Sequence, residues 1–146
     1  MRNDHDAQDV VQESYLRALR SFDTFQPGRD GRAWLLKIVR NTCYTWLAKN
    51  RGAERVTSLD ENKQDLLGTD PDPEMELITK ANSEMIHDAI GSLSVEFREV
   101  LILREIEDLS YKEIAQIVDV PLGTVMSRLS RGRKELQARL SEVLKR

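Results

Sequence analysis

The sequence predicts an all-α protein made of two small helical modules joined by a flexible acidic linker, with a helix-turn-helix in the second module. Apolar residues recur at the three- and four-residue spacing of amphipathic helices on both sides of the middle of the chain. Between those stretches, residues 52–72 are polar and acidic and show no period, which is typical of a linker. A length of 146 residues suits one domain or two small modules, and the linker favours two. The predicted boundaries are 1–53 for the first module, 54–80 for the linker and 81–146 for the second module.

Two helices are predicted in the first module. The first spans residues 6–22 with Asp6 as N-cap, and its inward residues are Val11, Tyr15, Ala18, Leu19 and Phe22. Its opposite face presents Asp9, Glu13, Arg17 and Arg20, flanked by Gln12 and Leu16. Pro27 and Gly28 interrupt the helical period, so residues 23–31 are predicted to form a loop. The second helix spans residues 32–51, with an inward stripe of Leu35, Ile38, Val39, Thr42 and Trp46 and a separate aromatic and basic face of Trp34, Lys37, Asn41 and Tyr44.

The second module is predicted to end in a helix-turn-helix. Helical spacing resumes at Leu77 and Ile78 and continues to Gly91, and a further helix begins near Ser94. Ser110 and Glu113 have the spacing of a capping box, which opens a short helix that ends at a corner formed by residues 119–121. On the last helix the inward positions are Val125, Leu129, Gly132, Leu136, Leu140 and Val143, and the outward positions are Thr124, Ser127, Ser130, Arg131 and Lys134. Arginine reads guanine through two hydrogen bonds and lysine contacts phosphate, so this outward face suits duplex DNA.

Charge is divided into blocks along the chain although the net charge is only −3. Residues 32–55 hold six basic residues against one acidic residue, and residues 120–146 hold seven against two. Two separate basic helical blocks in an acidic chain indicate two contacts with a polyanion, although a basic block is also often a solvated helix face.

Composition argues against a membrane, secreted or metal-dependent protein. No apolar run approaches the length of a membrane span, and the first residues lack the apolar core of a signal peptide, so we expect a soluble cytoplasmic protein. Cys43 is the single cysteine, and His5 and His87 do not have metal-ligand spacing. We therefore expect no cofactor and no metal. Cys43 is expected to be a packing residue and His87 to be structural or exposed.

Four stretches carry a family resemblance: residues 6–16 (DAQDVVQESYL), 32–42 (RAWLLKIVRNT), 109–115 (LSYKEIA) and 120–131 (VPLGTVMSRLSR). In this order and around an acidic linker, they resemble the extracytoplasmic-function sigma factors, which are promoter-specificity subunits of bacterial RNA polymerase. The resemblance implies that residues 6–53 are the later part of sigma region 2 and that residues 81–146 are region 4. It also implies three partners: core RNA polymerase, promoter DNA and an anti-sigma factor.

The resemblance assigns roles residue by residue. The residues implied to dock on the clamp helices of the polymerase beta-prime subunit are Asp9, Gln12, Glu13 and Leu16, and the alternative is a solvated helix face. The residues implied to bind the minus-10 element, including a flipped non-template base, are Phe25, Trp34, Lys37, Asn41 and Tyr44, with a core position as the alternative for Trp34. The residues implied to bind the minus-35 element are Tyr111, Lys112, Thr124, Ser127, Arg128, Ser130, Arg131 and Lys134. For Arg128, nearer the core edge, a phosphate and an internal acid are both open.

The chain departs from the family pattern in three places. The family has a further helix before the stretch that opens here, so the apolar stripe of helix 6–22 is expected to lack a cover. Ser94 stands where the family often has proline, and Met126 stands where a basic residue is frequent.

Two other classes of protein remain as alternatives. A LuxR-type regulator also has a Lys-Glu-Ile-Ala stretch before its recognition helix, but its sensory or receiver domain would not fit residues 1–55. An enzyme is the weakest alternative, because no paired carboxylates, activated nucleophile or phosphate loop can be assembled from these residues.

Overall fold

The structure is a computed structural model, and it describes residues 4–50 and 73–145. Six α-helices lie in these ranges: α1 (Asp4–Arg20), α2 (Gly31–Lys49), α3 (Pro73–Gly91), α4 (Val95–Leu101), α5 (Tyr111–Val118) and α6 (Leu122–Leu144). A 3-10 turn at Phe22–Thr24 follows α1, and a π-helical turn at Ile102–Ile106 continues α4. No strand occurs in the described ranges, which confirms the all-α prediction.

The chain divides into two compact units, one drawn mainly from residues 1–63 and the other mainly from residues 64–146. Most of the predicted linker lies outside the described residues. Residues 73–80, which the sequence analysis placed in the linker, belong to α3. None of the helices in the described ranges is both long and apolar enough to cross a bilayer.

The first unit pairs α1 with α2 through small side chains. Val10 and Ser14 are the buried residues of α1, and Thr42 is the buried residue of α2. Each hydroxyl donates to the carbonyl four residues earlier, Ser14 to Val10 and Thr42 to Ile38, both at 2.7 Å. Because these polar groups are satisfied within their own helices, they can be buried without a partner on the other helix.

The prediction of the inward face of α1 is therefore wrong. The large apolar residues expected inside are exposed instead: Val11, Tyr15, Leu19 and Phe22. Periodicity pointed to the stripe of large apolar residues, whereas the adjacent positions Val10 and Ser14 are the ones buried in the structure. Asp6 lies inside α1 and is not its N-cap.

Helix α2 begins one residue earlier than predicted. Asp30 is its N-cap, and the Asp30 carboxylate accepts a hydrogen bond from the Arg32 N–H at 3.0 Å. The loop before it contains Gly28 at φ +92°, a left-handed conformation that glycine adopts without strain. In the predicted stripe Thr42 is buried, while Leu35, Ile38, Val39 and Trp46 are half-buried.

The second unit is built around α6, which packs against α3 and α4. Its most buried side chains are Leu93, Val100, Leu109, Ile114, Val125 and Leu129. Gly132 lets α6 pack closely against α4, because a Cβ at this position would lie 3.3 Å from both the Phe97 Cβ and the Leu101 Cδ1. Leu77 and Ile78, at which helical spacing resumes on α3, are exposed. The inward prediction for Val143 is wrong, because this residue near the end of α6 is exposed as well.

The turn signals of the helix-turn-helix are confirmed. The Glu113 N–H donates to the Ser110 Oγ at 3.2 Å, and the Ser110 N–H donates to the Glu113 Oε1 at 3.4 Å, which completes the capping box. Asp119 adopts φ +60° at the corner, and Pro121 immediately precedes α6. The capping box thus fixes the start of α5, and the corner at Asp119 and Pro121 fixes the start of α6.

Candidate nucleic-acid interface

The predicted outward residues of α6 are polar and mostly exposed. Ser127, Ser130, Arg131 and Lys134 are exposed, while Thr124 is half-buried. The Ser127 Oγ donates to the Thr124 carbonyl at 3.1 Å, so this hydroxyl is left to accept hydrogen bonds. Arg131 and Lys134 have no ion pair with any described residue, and their charges are free for an anion outside the chain.

Arg128 differs from its neighbours on α6. Its side chain is 21% exposed, and its Nη2 lies 4.0 Å from the Glu96 Oε1 on α4. Of the two roles left open by the sequence, this geometry favours the internal acid.

Tyr111, at the start of α5, is held by arginines that the sequence analysis did not single out. The Arg104 guanidinium lies 5.1 Å from the centroid of the Tyr111 ring, and its Nη1 donates to the Leu109 carbonyl at 2.8 Å. Arg133 donates from Nε and Nη2 to the Glu105 Oε1, at 3.1 and 2.7 Å. The hydrogen bond to Glu105 raises the pKa of Arg133 above its ordinary value. Lys112, in contrast, is exposed and unpaired within the described residues.

In the first unit, three aromatic rings form a cluster at the connection between α1 and α2. The centroids of Phe25 and Trp34 lie 5.3 Å apart, and the Phe22 centroid lies 6.2 Å from Phe25 and 6.5 Å from Trp34. Phe25 and Trp34 are half-buried, whereas Phe22 is 64% exposed. The sequence analysis assigned Phe25 and Trp34 to DNA and treated Phe22 as core. The three-residue spacing of Phe22 and Phe25 was the signal that could have placed Phe22 in the same cluster.

The second predicted DNA face, on α2, holds its residues together as expected from helical spacing. Lys37 and Asn41 are exposed and Tyr44 is half-buried. Arg40, which the sequence analysis counted only as charge, packs its guanidinium 4.2 Å from the Tyr44 ring centroid. Its Nη1 donates to the Asn41 Oδ1 at 3.4 Å, which leaves the Asn41 amide N–H groups to donate elsewhere.

The predicted docking face of α1 is polar and largely exposed. Asp9, Gln12 and Leu16 are exposed and Glu13 is half-buried. Each carboxylate faces a base four residues away: the Asp9 Oδ2 lies 3.8 Å from the His5 Nε2, and the Glu13 Oε1 lies 3.2 Å from the Arg17 Nε. Such exposed pairs contribute only about 0.3–0.5 kcal/mol, so a partner can displace them at little cost.

Comparison with known proteins assigns both units. Residues 1–53 match the Sigma-70 region 2 family, and residues 83–136 match the Sigma-70 region 4 family. Among curated relatives, an ECF RNA polymerase sigma-E factor of Haemophilus influenzae is 34% identical over 146 residues, a match that covers 96% of this chain and 77% of the relative. The chain belongs to the extracytoplasmic-function (ECF) sigma factors. ECF sigma factors are transcription initiation factors of RNA polymerase and not enzymes.

Two further curated relatives extend this comparison. The ECF sigma factor SigE of Mycolicibacterium smegmatis is 37% identical over 140 residues, covering 96% of this chain, and the chain spans 54% of the length of that relative. The ECF sigma-E factor of Escherichia coli is 31% identical over 147 residues, covering 97% of this chain and 77% of the relative.

Solved structures support the same family. The sigma factor RpoE of Bartonella quintana, in complex with the anti-sigma factor NepR, aligns with a TM-score of 0.71 at 27% identity and covers 97% of this chain and 84% of that one. CnrH, in complex with the cytosolic domain of CnrY, aligns with a TM-score of 0.65 at 28% identity over 97% of this chain and 75% of that one.

The two matched regions contain every residue singled out for DNA or polymerase binding. The region 2 match includes α1 and α2, and the region 4 match includes α4, α5 and about the first two thirds of α6. A region 2 unit in front of the helix-turn-helix decides against a LuxR-type regulator. The described residues contain no group of His, Cys, Asp and Glu able to hold a metal ion.

Proposed function

We propose that this ECF sigma factor directs core RNA polymerase to promoters by contacting the minus-10 element with its first unit and the minus-35 element with its second. The observation that carries this proposal is that cations without ion pairs, Lys37 on α2 and Arg131 and Lys134 on α6, lie on the two faces predicted to bind DNA. The domains are proposed as 1–53 and 81–146, joined by 54–80, whose last residues belong to α3.

At the minus-35 element, α6 is proposed to lie in the major groove. Arg131 reads a base edge, Ser127 accepts a hydrogen bond, Ser130 adapts to either hydrogen-bonding pattern, and Lys134 neutralises a phosphate. Thr124 lies beside Ser127 at the start of the helix, and Lys112 binds the DNA backbone from the first turn of α5. The charge of Arg128 is directed towards Glu96, and the Tyr111 ring packs against Arg104. Arg128 and Tyr111 are therefore proposed to shape the DNA-binding surface and not to contact bases themselves.

At the minus-10 element, the ring cluster of Phe22, Phe25 and Trp34 is proposed to receive an unstacked base. Stacking on aromatic rings contributes about 1–3 kcal/mol per base, which helps to offset the loss of stacking within the duplex. The Asn41 amide N–H groups read an acceptor on a base edge, while Lys37 and Tyr44 contact the strand on either side.

Protein partners complete the proposal. Asp9, Gln12, Glu13 and Leu16 dock on the clamp helices of the polymerase beta-prime subunit, with Leu16 as the apolar anchor among polar groups. The solved structures of RpoE with NepR and CnrH with CnrY support an anti-sigma factor as a third partner. Because RNA polymerase acts on chromosomal DNA, the protein is proposed to function in the cytoplasm.

Reconstitution with Escherichia coli core polymerase tests this proposal. Holoenzyme assembled from core polymerase and this chain is used to select promoters from a random DNA library. Unpaired thymines in the melted DNA are then detected with permanganate. We expect co-elution with core enzyme and a melted segment at a selected minus-10 sequence.

Trp34→Ala is expected to abolish melting while core binding is retained, and Lys49→Ala, an exposed cation at the end of α2, serves as the control. A chain that never co-elutes with core enzyme, or a Trp34→Ala variant that melts DNA like Lys49→Ala, would contradict the proposal.

A further inference from the structure

An apolar edge borders the predicted DNA face at the start of α6. It consists of Leu122 and Met126, which lie one helical turn apart and are 41% and 52% exposed. The sequence analysis assigned neither residue to DNA and noted Met126 only as a departure from the family pattern. The neighbouring side chains on the outer surface are small and polar, since Ser127 and Ser130 are exposed beside Met126.

The charge around this edge indicates that the first turns of α6 face a polyanion. Residues 122–134 include four basic residues and no acidic residue. An acidic side chain in the first turn would stabilise the helix macrodipole, yet the first turn of α6 has none. At Gly123, between the two apolar residues in sequence, a Cβ would meet nothing within 4 Å. The start of α6 is therefore open enough for a base edge to approach it closely.

The ordinary explanation for Met126 is that single apolar side chains are common on protein surfaces. That explanation covers one exposed residue, but it does not account for a second one, Leu122, on the adjacent turn. It also does not account for their place at the start of the second helix of a helix-turn-helix, where side chains contact base edges. Contact with an apolar group of the DNA would remove the exposed surface of Met126 from water.

Only one base offers methionine an apolar contact in the major groove. Methionine has no hydrogen-bond donor and only a weak acceptor, so a guanine, adenine or cytosine edge packed against it would keep a donor or acceptor unpaired. Thymine presents its C5 methyl group there, together with the O4 acceptor. Ser130, one turn beyond Met126, can donate its hydroxyl hydrogen to that O4. Met126 and Ser130 together therefore match both groups of one thymine.

We propose that Met126 selects a thymine in the minus-35 element by packing against its C5 methyl group. The inference rests on the proposed minus-35 function, because it requires α6 to lie in the major groove. The thymine can belong to either strand, since both bases of a pair present an edge to that groove. Leu122 extends the apolar surface that excludes water from the methyl group. Met126 thereby adds an apolar contact to the polar reading by Arg131.

Removal of a single methyl group from the DNA tests the contact. Each thymine of the selected minus-35 element, on either strand, is replaced in turn by uracil, which lacks only the C5 methyl group. Holoenzyme made with the full chain is titrated onto each duplex. We expect one replacement to weaken binding by the unmodified chain about fourfold, the factor that corresponds to burial of one methyl group. The same replacement is expected to change binding by Met126→Gln less than about twofold, because both changes remove the same contact.

Variants of the protein separate base reading from a structural role. Glutamine has nearly the same helix propensity as methionine and position 126 is exposed, so Met126→Gln is expected to fold normally. It is expected to weaken binding to the selected element about fourfold, as loss of one methyl contact predicts, and to leave binding to scrambled duplexes unchanged. Its salt dependence should equal that of the unmodified chain, because no phosphate contact is lost. Val143→Gln makes the same kind of change at the exposed far end of α6 and serves as the control.

A change of base preference is the second readout. Promoters are selected again from the random library with holoenzyme that contains Met126→Arg. At the position where the unmodified chain selects thymine, Met126→Arg is expected to select guanine, with which arginine forms two hydrogen bonds. A structural role for Met126 would weaken selection without exchanging one base for another.

The outcomes separate this inference from the proposed function. If no uracil replacement weakens binding while Arg131→Ala loses the selected element, the inference is wrong and the minus-35 assignment stands. If Arg131→Ala and Met126→Gln both bind that element like the unmodified chain, the minus-35 assignment is wrong as well. A uracil replacement that weakens Met126→Gln as much as the unmodified chain would overturn the inference, because another residue would then contact the methyl group. Equal losses on selected and scrambled duplexes in Met126→Gln would overturn it too.

Discussion

The crossing of α6 over α4 provides a stability test in which two glycines of the same helix should respond in opposite directions. Alanine is the better helix former by about 1 kcal/mol in a helix interior, and this gain is smaller near a helix end. At Gly123 a new Cβ meets nothing within 4 Å, so Gly123→Ala is expected to keep whatever gain its position allows. At Gly132 the new Cβ would lie 3.3 Å from the Phe97 Cβ and the Leu101 Cδ1, inside the usual 3.5–4.0 Å separation of carbon atoms.

The two neighbours of Gly132 differ in how easily they move. The Leu101 methyl can turn away, but the Phe97 Cβ is attached to the backbone of α4, so the two helices must separate by a few tenths of an ångström. Overpacking of this kind costs about 1–3 kcal/mol, which exceeds the gain in helix propensity. We therefore expect Gly132→Ala to be less stable than Gly123→Ala by about 1–3 kcal/mol.

Native-state hydrogen exchange is the suitable assay, because it reports on α6 separately from the first unit. Amides of residues 125–132 are expected to exchange about 5- to 30-fold faster in Gly132→Ala, which corresponds to about 1–2 kcal/mol, and no faster in Gly123→Ala. Equal protection in the two variants would refute the reasoning and would show that α4 and α6 tolerate a methyl group at their crossing.

Three further predictions concern the interfaces and the helix cap. Arg131→Ala is expected to cost about 1–3 kcal/mol at the selected minus-35 element and to relax its preference, whereas Lys134→Ala should weaken binding evenly across sequences; equal losses on cognate and scrambled duplexes in a binding titration would contradict direct reading by Arg131. Reversal of charge at Asp9 and Glu13 is expected to weaken core polymerase binding while minus-35 DNA binding by the second unit is retained, and unchanged polymerase affinity in a direct assay would count against the docking face. Ser110→Ala is expected to destabilise α5 by about 1 kcal/mol through loss of its capping bond, seen as faster amide exchange in the first turn, and unaltered exchange there would show that the cap contributes nothing.

Features that depend on neighbouring residues were predicted well from the sequence. The capping box of Ser110 and Glu113, the left-handed corner at Asp119 and the outward face of α6 all follow from helical periodicity and from bonds between a side chain and its own backbone. The loop around Gly28 follows from the same kind of local chemistry. Such features are set within a few residues, so a pattern in the sequence describes them whatever the rest of the chain does.

The sequence by itself therefore determined the helical class, the helix-turn-helix and the residues that share each predicted DNA face, whereas only the tertiary structure decided which faces are buried and which charges are neutralised. Helix α1 buries Val10 and Ser14 instead of its larger apolar residues, because burial depends on the helix that packs against it. Glu105 and Arg133 are 28 residues apart in sequence, so no local pattern predicts that they form an ion pair. Arg17, Arg20 and Asn41 likewise come from two helices to one notch. Periodicity shows which side chains share a helix face, but the residues that pack against that face are distant in sequence.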